Sequence, residues 1–123
     1  MSDNPGTPPR SEHLSRPGGD LHGLRWLASR PGAPRLVFCH ATGLSAAPYA
    51  RLLAPLAEHF EVWALDARGH GRSRAPAQPE ALTSWTPYIE DLQAWLAHIG
   101  GPVHLAGHSM GSLVSLDTAH RLP

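Results

Sequence analysis

Apolar positions follow two patterns that alternate along the chain. Leu36-Val37-Phe38-Cys39, Glu61-Val62-Trp63-Ala64-Leu65 and Val103-His104-Leu105-Ala106 are short, largely apolar runs. Runs without strict polar alternation suit strands covered on both faces, as in a parallel sheet. Leu21 to Ala28 mixes apolar and polar residues and reads as a further strand. Between the runs the period changes. Tyr49, Leu52, Leu53, Leu56 and Phe60 recur at three- and four-residue steps and predict a helix, with Ser45 as N-cap and Pro48 in its first turn. Tyr88, Leu92, Trp95, Leu96 and Ile99 predict a second helix, opened by Thr86 as N-cap and Pro87 at N1 and ended by Gly100-Gly101. Gly111 to Leu122 predicts a third, with Leu113, Val114 and Leu116 in its apolar set.

Strand and helix thus alternate three times, which predicts an α/β fold with a parallel sheet and right-handed crossovers. Residues 1–19 are rich in Pro, Gly, Ser and charge and carry no periodicity, so a loose tail is expected there. Residues 20–123 are expected to belong to a single domain, since 123 residues suffice for one core and are too few for two. Residues 30–34 are a Pro-Gly turn, residues 66–73 a Gly-rich loop, and residues 74–84 irregular chain. Trp63 and Trp95 fall on core faces.

Composition narrows the function. Apolar residues make up 41% and charged residues 16%, an ordinary globular balance. Lys+Arg equals Asp+Glu, so no long-range field draws a polyanion, which argues against a nucleic-acid partner. Cys39 stands alone and cannot form an internal disulfide; its expected place is as a small buried side chain. No signal-peptide pattern opens the chain and no apolar run reaches the roughly 20 residues of a membrane helix. A cytoplasmic location, with no membrane partner, is the expectation. Nine histidines invite a metal reading, but His-Glu-x-x-His is absent, and His104 and His108 straddle a strand and a turn. No metal is expected.

The chemistry lies in Gly107-His108-Ser109-Met110-Gly111, which follows an apolar strand and opens a helix. A serine hydroxyl is a poor nucleophile at neutral pH and needs placement and a base. Gly-x-Ser-x-Gly supplies placement: serine occupies a strained strand-to-helix turn, and small flanking residues let neighbouring chain pass close by. The helix after it turns its positive end toward a reacting carbonyl. The Met110 N–H is one expected oxyanion donor.

Two upstream segments add to this. Phe38-Cys39-His40-Ala41-Thr42-Gly43 resembles the strand and His-Gly-x loop of the α/β-hydrolase fold family, and Asp66-Ala67-Arg68-Gly69-His70-Gly71-Arg72-Ser73 resembles that family's Asp-x-Arg-Gly-x-Gly-x-Ser loop. With the elbow, three motifs stand in order, each at a strand end, and the resemblance covers roughly residues 21–123. It implies a serine nucleophile at Ser109 and a second oxyanion donor at Thr42, although Ala41 stands where the family has Gly. It also implies that His40 and Gly43 support the oxyanion loop. His108 either contacts substrate or lines the turn. Asp66, Arg68, Gly69, His70 and Gly71 are implied to be scaffold rather than chemistry.

The family's triad order is Ser, acid, His. After Ser109 come only Asp117 and His120, about 12 and 16 Å along the same helix, out of hydrogen-bond reach. The resemblance therefore implies a three-layer α/β sandwich with a mainly parallel sheet, cut short before the family's C-terminal strands and lid. An edge-strand association through the 103–106 strand is expected. One functional reading is ester or thioester cleavage by acyl transfer on a small-molecule acyl substrate, without a cofactor, the chain alone being inactive or nearly so. Haloperoxidases, carbon–carbon bond hydrolases and acyltransferases share the machinery. The other reading is a non-catalytic binding or regulatory protein on the same fold.

Overall fold

A computed structural model describes residues 8–78 and 84–121. Five strands form one sheet: β1 (Arg10–Leu14), β2 (Leu21–Trp26), β3 (Arg35–Cys39), β4 (Glu61–Leu65) and β5 (Val103–Gly107), in the order β1-β2-β4-β3-β5. β3 pairs in parallel with both β4 and β5, Cys39 standing opposite Leu65 on one side and Gly107 on the other. β2 runs antiparallel to β4 and to β1. Four strands therefore point one way and β2 the other.

β1 corrects the expected tail. Arg10-Ser11-Glu12-His13-Leu14 alternates in burial, and its pairing with β2 fixes it despite its weak apolar content. A mostly polar strand on a sheet edge offers little hydrophobic period to read. Residues 1–7 of the expected tail lie outside the described residues, as do residues 79–83 of the irregular stretch.

Helices cover both faces. α2 (Thr86–Ile99) and α3 (Met110–Arg121) close one layer, where Trp63, Trp95, Val37, Ile89, Met110 and Val114 share a core. On the other face Trp26, Phe38, Val62 and Ala64 meet Leu53, with Tyr49, Leu56 and Phe60 packed alongside. The helix predicted from Ser45 onward is corrected. It is a 3-10 turn Ala47–Tyr49, one α turn α1 (Ala50–Leu53) and a second 3-10 segment Ala54–Glu58, with no side-chain cap. Pro55 explains the break: it lacks the N–H that an α-helix interior needs and clashes with the carbonyl four residues back. Leu52, read as part of the apolar face, is 67% exposed. At α2 the cap is Trp85 rather than Thr86, and Gly100 ends the helix at φ 76°.

α3 differs more. Its buried face is Met110, Gly111, Val114, Ser115 and Thr118, while Leu113 and Leu116 are 55% and 70% exposed. β5 is an outer strand of the sheet, and Leu116 lines a groove along it with Leu105, Gly107 and Ser115. Bare strand edges beside apolar surface template pairing. The chain should therefore associate with itself between about 10 and 100 µM, a range in which such edges aggregate. Sedimentation velocity checks this. Replacing Leu113 and Leu116 together by Glu should return the chain toward monomer, and a monomer throughout for the unsubstituted chain would contradict the expectation. Among the described residues no helix is long and apolar enough to cross a membrane.

Candidate active site

The elbow is built by close packing at the ends of β3 and β5. The parallel register brings Gly107 beside Cys39, and the His108 N–H donates to the Cys39 carbonyl at 3.1 Å. Ser109 follows at φ 56°, the left-handed region. For a non-glycine residue this costs on the order of 1–2 kcal/mol and persists only where surroundings impose it. Here the Ser109 carbonyl accepts from the N–H groups of Ser112 and Leu113 at 2.9 and 3.2 Å, starting α3 while the exposed side chain stands clear of the helix. Met110 is the first residue of α3, so its N–H has no intrahelical acceptor.

Both flanking glycines answer to steric demand. A Cβ on Gly107 would lie 2.4 Å from the Gly111 carbonyl carbon, and one on Gly111 would lie 2.0 Å from the Cys39 oxygen.

The neighbouring loop is held by three groups. His40 is buried, donates from Nδ1 to the Ala41 carbonyl at 2.7 Å and accepts the Ala67 N–H on Nε2 at 3.0 Å. An Nε2 that accepts carries no proton, so the ring is the neutral Nδ1–H form. Burial lowers its pKa from the ordinary histidine value, against the pull of the Ala41 carbonyl, and so keeps it neutral. Leu44 N–H closes a turn onto the Ala41 carbonyl at 3.1 Å, placing Thr42 and Gly43 at its exposed tip, with Gly43 at φ 83°. The Tyr49 hydroxyl accepts the Ala41 N–H at 3.1 Å and lies 2.9 Å from His108 Nδ1. Tyr49 thus ties this loop to the elbow. The sequence shows it only as a helix-face residue, because its hydroxyl's partners come from two distant segments.

The 66–73 loop is tied to its neighbours by side-chain and backbone hydrogen bonds. Asp66 Oδ1 accepts the Ala46 N–H at 2.7 Å, and Oδ2 meets His22 Nδ1 at 2.8 Å and the Arg72 N–H at 3.0 Å. Arg68 grips Asp91 of α2 with two bonds of 2.6 and 2.8 Å, and Arg16 adds a third at 3.1 Å. The Asp91 interaction keeps the Arg68 guanidinium firmly charged. Gly69 donates to the Ala75 carbonyl at 2.7 Å, and a Cβ on Gly71 would meet the Asp66 carboxylate. His70 Nδ1 turns to the Arg68 carbonyl at 2.9 Å. Asp91 and His22 escape sequence reading, since each stands in an element whose pattern gives no hint of a polar partner.

A cavity of about 40 Å³ lies behind the elbow, lined by His40, Asp66, Asp91, Tyr88, Met110, Gly111 and apolar side chains. It is large enough for a water or two and far too small for a substrate. Ser109 does not line it. Asp117 and His120 are on α3, with Asp117 paired to Arg121 at 3.5 Å. Among the described residues no group of three or more His, Cys, Asp or Glu is placed to hold a metal ion.

Cys39, half-buried against the core, has its thiol pushed up to about 11 by burial. At pH 8 only about one thiol in a thousand is ionised, and the thiolate is the reactive form. Iodoacetamide should therefore modify native Cys39 roughly tenfold faster per pH unit from pH 8 to 10, but modify urea-unfolded chain readily at pH 8. Mass spectrometry reads both. Equal native and unfolded rates would contradict the burial.

Residues 36–122 match the alpha/beta hydrolase family. The (E)-2-((N-methylformamido)methylene)succinate hydrolase of Acinetobacter baylyi is 36% identical over 88 residues, covering 72% of this chain and 33% of that protein. The pimeloyl-[acyl-carrier protein] methyl ester esterase of Xanthomonas oryzae is 36% identical over 90 residues, covering 73% and 33%. The crystal structure of a bacterial membrane phospholipase A superposes with a TM-score of 0.80 at 28% identity, covering 94% of this chain and 36% of that one. The chain spans about a third of the length of these curated relatives.

Proposed function

This chain belongs to the alpha/beta hydrolase family, and from that premise we propose that it supplies the nucleophile half of a serine hydrolase that cleaves esters or thioesters by acyl transfer. The observation that carries the reading is Ser109 at φ 56°, exposed at a strand-to-helix junction whose flanking glycines admit no side chain. Backbone strain of this kind is kept where it presents a reactive group.

In the proposed reaction Ser109 Oγ attacks the substrate carbonyl. The developing oxyanion takes hydrogen bonds from the N–H groups of Met110 and Thr42, the first aligned with the positive end of α3. His40 and Tyr49 hold the Thr42 loop, and His108, tied to Tyr49, borders the nucleophile. The base must come from elsewhere. Asp117 and His120 lie down α3, and His40 is committed on both ring nitrogens. The histidine and acid are proposed to be supplied by chain beyond residue 123, so the 123-residue chain alone has little or no turnover. The names of the relatives, a hydrolase and a methyl ester esterase, support the class without fixing the substrate.

A fluorophosphonate probe with peptide mapping tests this. In a protein continued through the following reading frame to the length of its relatives, Ser109 should take the label, and Ser109→Ala should remove that adduct. Absence of label on Ser109 there would sink the hydrolase reading and favour a binding role for the fold.

A further inference from the structure

An acid–histidine–serine chain of hydrogen bonds is present away from the elbow. Asp66 Oδ2 lies 2.8 Å from His22 Nδ1, and His22 Nε2 lies 3.0 Å from Ser11 Oγ. We propose that Ser11 is a second activated hydroxyl, open to small activated acyl and phosphonyl esters, with His22 as its base and Asp66 as the group that orients the base.

Each link has a physical reason. The Asp66 carboxylate also accepts from the Ala46 and Arg72 N–H groups, so it serves as an acceptor and the proton of the pair sits on His22 Nδ1. In the neutral ring Nε2 is then the lone-pair side, and it faces Ser11. The imidazole is preorganised. Its side chain is 3% exposed, its residue's N–H donates to Ser73 Oγ at 2.9 Å, and its carbonyl accepts from the Asp66 N–H at 2.9 Å. The β1–β2 register sets the serine. His13 stands opposite His22 and Ser11 opposite Leu24, so Ser11 and His22 are diagonal neighbours on one face.

Ser11 itself is exposed. β1 is an outer strand, so alternate N–H groups along it point away from β2. Either Ser11 or Glu12 must therefore present an N–H outward, next to the hydroxyl, as a donor to a developing oxyanion. The site is separate from the elbow: β1 and β5 are opposite edges of a five-stranded sheet, about 19 Å apart at 4.8 Å per strand. Ser11 lines neither the cavity behind the elbow nor the groove along β5, and its exposed position suits small, intrinsically activated esters.

The step with a fluorophosphonate is balanced. Ser11 Oγ forms a bond to phosphorus, fluoride leaves with its electron pair, and the hydroxyl proton passes to His22 Nε2. With an activated carboxylic ester, Oγ bonds to the carbonyl carbon, the hydroxyl proton again passes to His22 Nε2, and the alkoxide or phenoxide leaves with its electron pair.

The test uses the 123-residue chain, native and as Ser109→Ala, treated with a small fluorophosphonate and mapped by peptide mass spectrometry. The exposed Ser15 and Ser29 serve as internal references. General-base assistance typically contributes ~100-fold or more, and Ser11 should gain label about that much faster than either reference in both proteins. The advantage should vanish in urea. His22→Gln, checked for a native circular dichroism spectrum, should bring Ser11 down to the reference rate. A Ser11 advantage under tenfold, or label on Ser109 without label on Ser11, overturns the proposal. Because the two adducts map to different peptides, failure here is distinct from failure of Ser109 in the extended protein.

Discussion

Replacing Gly111 by Ala should remove about 3–4 kcal/mol of stability. The added Cβ would lie 2.0 Å from the Cys39 carbonyl oxygen, 2.4 Å from its carbon and 2.8 Å from the His40 oxygen. All three are backbone atoms of β3 and the residue after it, so no side chain can swing aside. Relief requires α3 to retreat from β3 by more than 1 Å to regain ordinary contact distances. That retreat would draw Met110 and Val114 out of the core they share with Val37 and Trp95. Overpacking usually costs 1–3 kcal/mol, and the rigidity on both sides places this case at or above the top of that range. Urea unfolding reads it. With a slope near 1.5 kcal/mol per molar, the midpoint should fall by roughly 2 M. Gly43→Ala is the control. Nothing lies within 4 Å of a Cβ there, although φ is 83°, so only the local backbone cost of about 1 kcal/mol applies. Equal midpoints for the two variants would show that the elbow tolerates a side chain and that the tight crossing is not what fixes Ser109.

The same crossing shows why parts of this molecule are legible in sequence. Gly107 and Gly111 announce a close approach because no other residue fits, and the apolar runs of β3 and β4 announce strands covered on both faces. What could not be read depends on partners distant in the chain. β1 is polar and is held by its pairing with β2. Leu113 and Leu116 look like core by period, yet Ser115 and Thr118 take the buried face. Period gives a helix a face, and only tertiary neighbours decide which residues of a mixed face meet them. Pro55 was visible in the sequence and breaks the helix for a local reason that an apolar period alone ignores. At the site, the elbow was fully legible as a motif. The Tyr49 link between loop and elbow, and the His22–Ser11 extension of Asp66, were not, since a hydroxyl or a ring nitrogen carries no periodic signature.

Asp66→Ala should cost about as much as Gly111→Ala or more, on the order of 4 kcal/mol, by a different route. The Asp66 side chain is 4% exposed and receives Ala46 N–H, Arg72 N–H and His22 Nδ1. Removing it leaves two well-buried donors, those of Ala46 and His22, without an acceptor, each worth about 1–3 kcal/mol. The exposed Arg72 can turn to water, so its share is small. Asp66→Asn should cost less, about 2 kcal/mol. The amide offers one oxygen where three donors aim at two, so at least one N–H must face an NH₂ group. For a domain of this size 4 kcal/mol corresponds to a drop in Tm of about 15 °C, which calorimetry resolves easily. The variant should also expose the 66–75 loop, because Asp66 links β4, the 72–73 turn, β2 and the segment before α1. Trypsin would then cut after Arg68, Arg72 and Arg74 before the rest of the domain unfolds. If Asp66→Ala melts within about 4 °C of the parent and resists trypsin equally, the carboxylate is not the organiser of this loop. In that case its alignment with His22 and Ser11 would have no structural role to explain it.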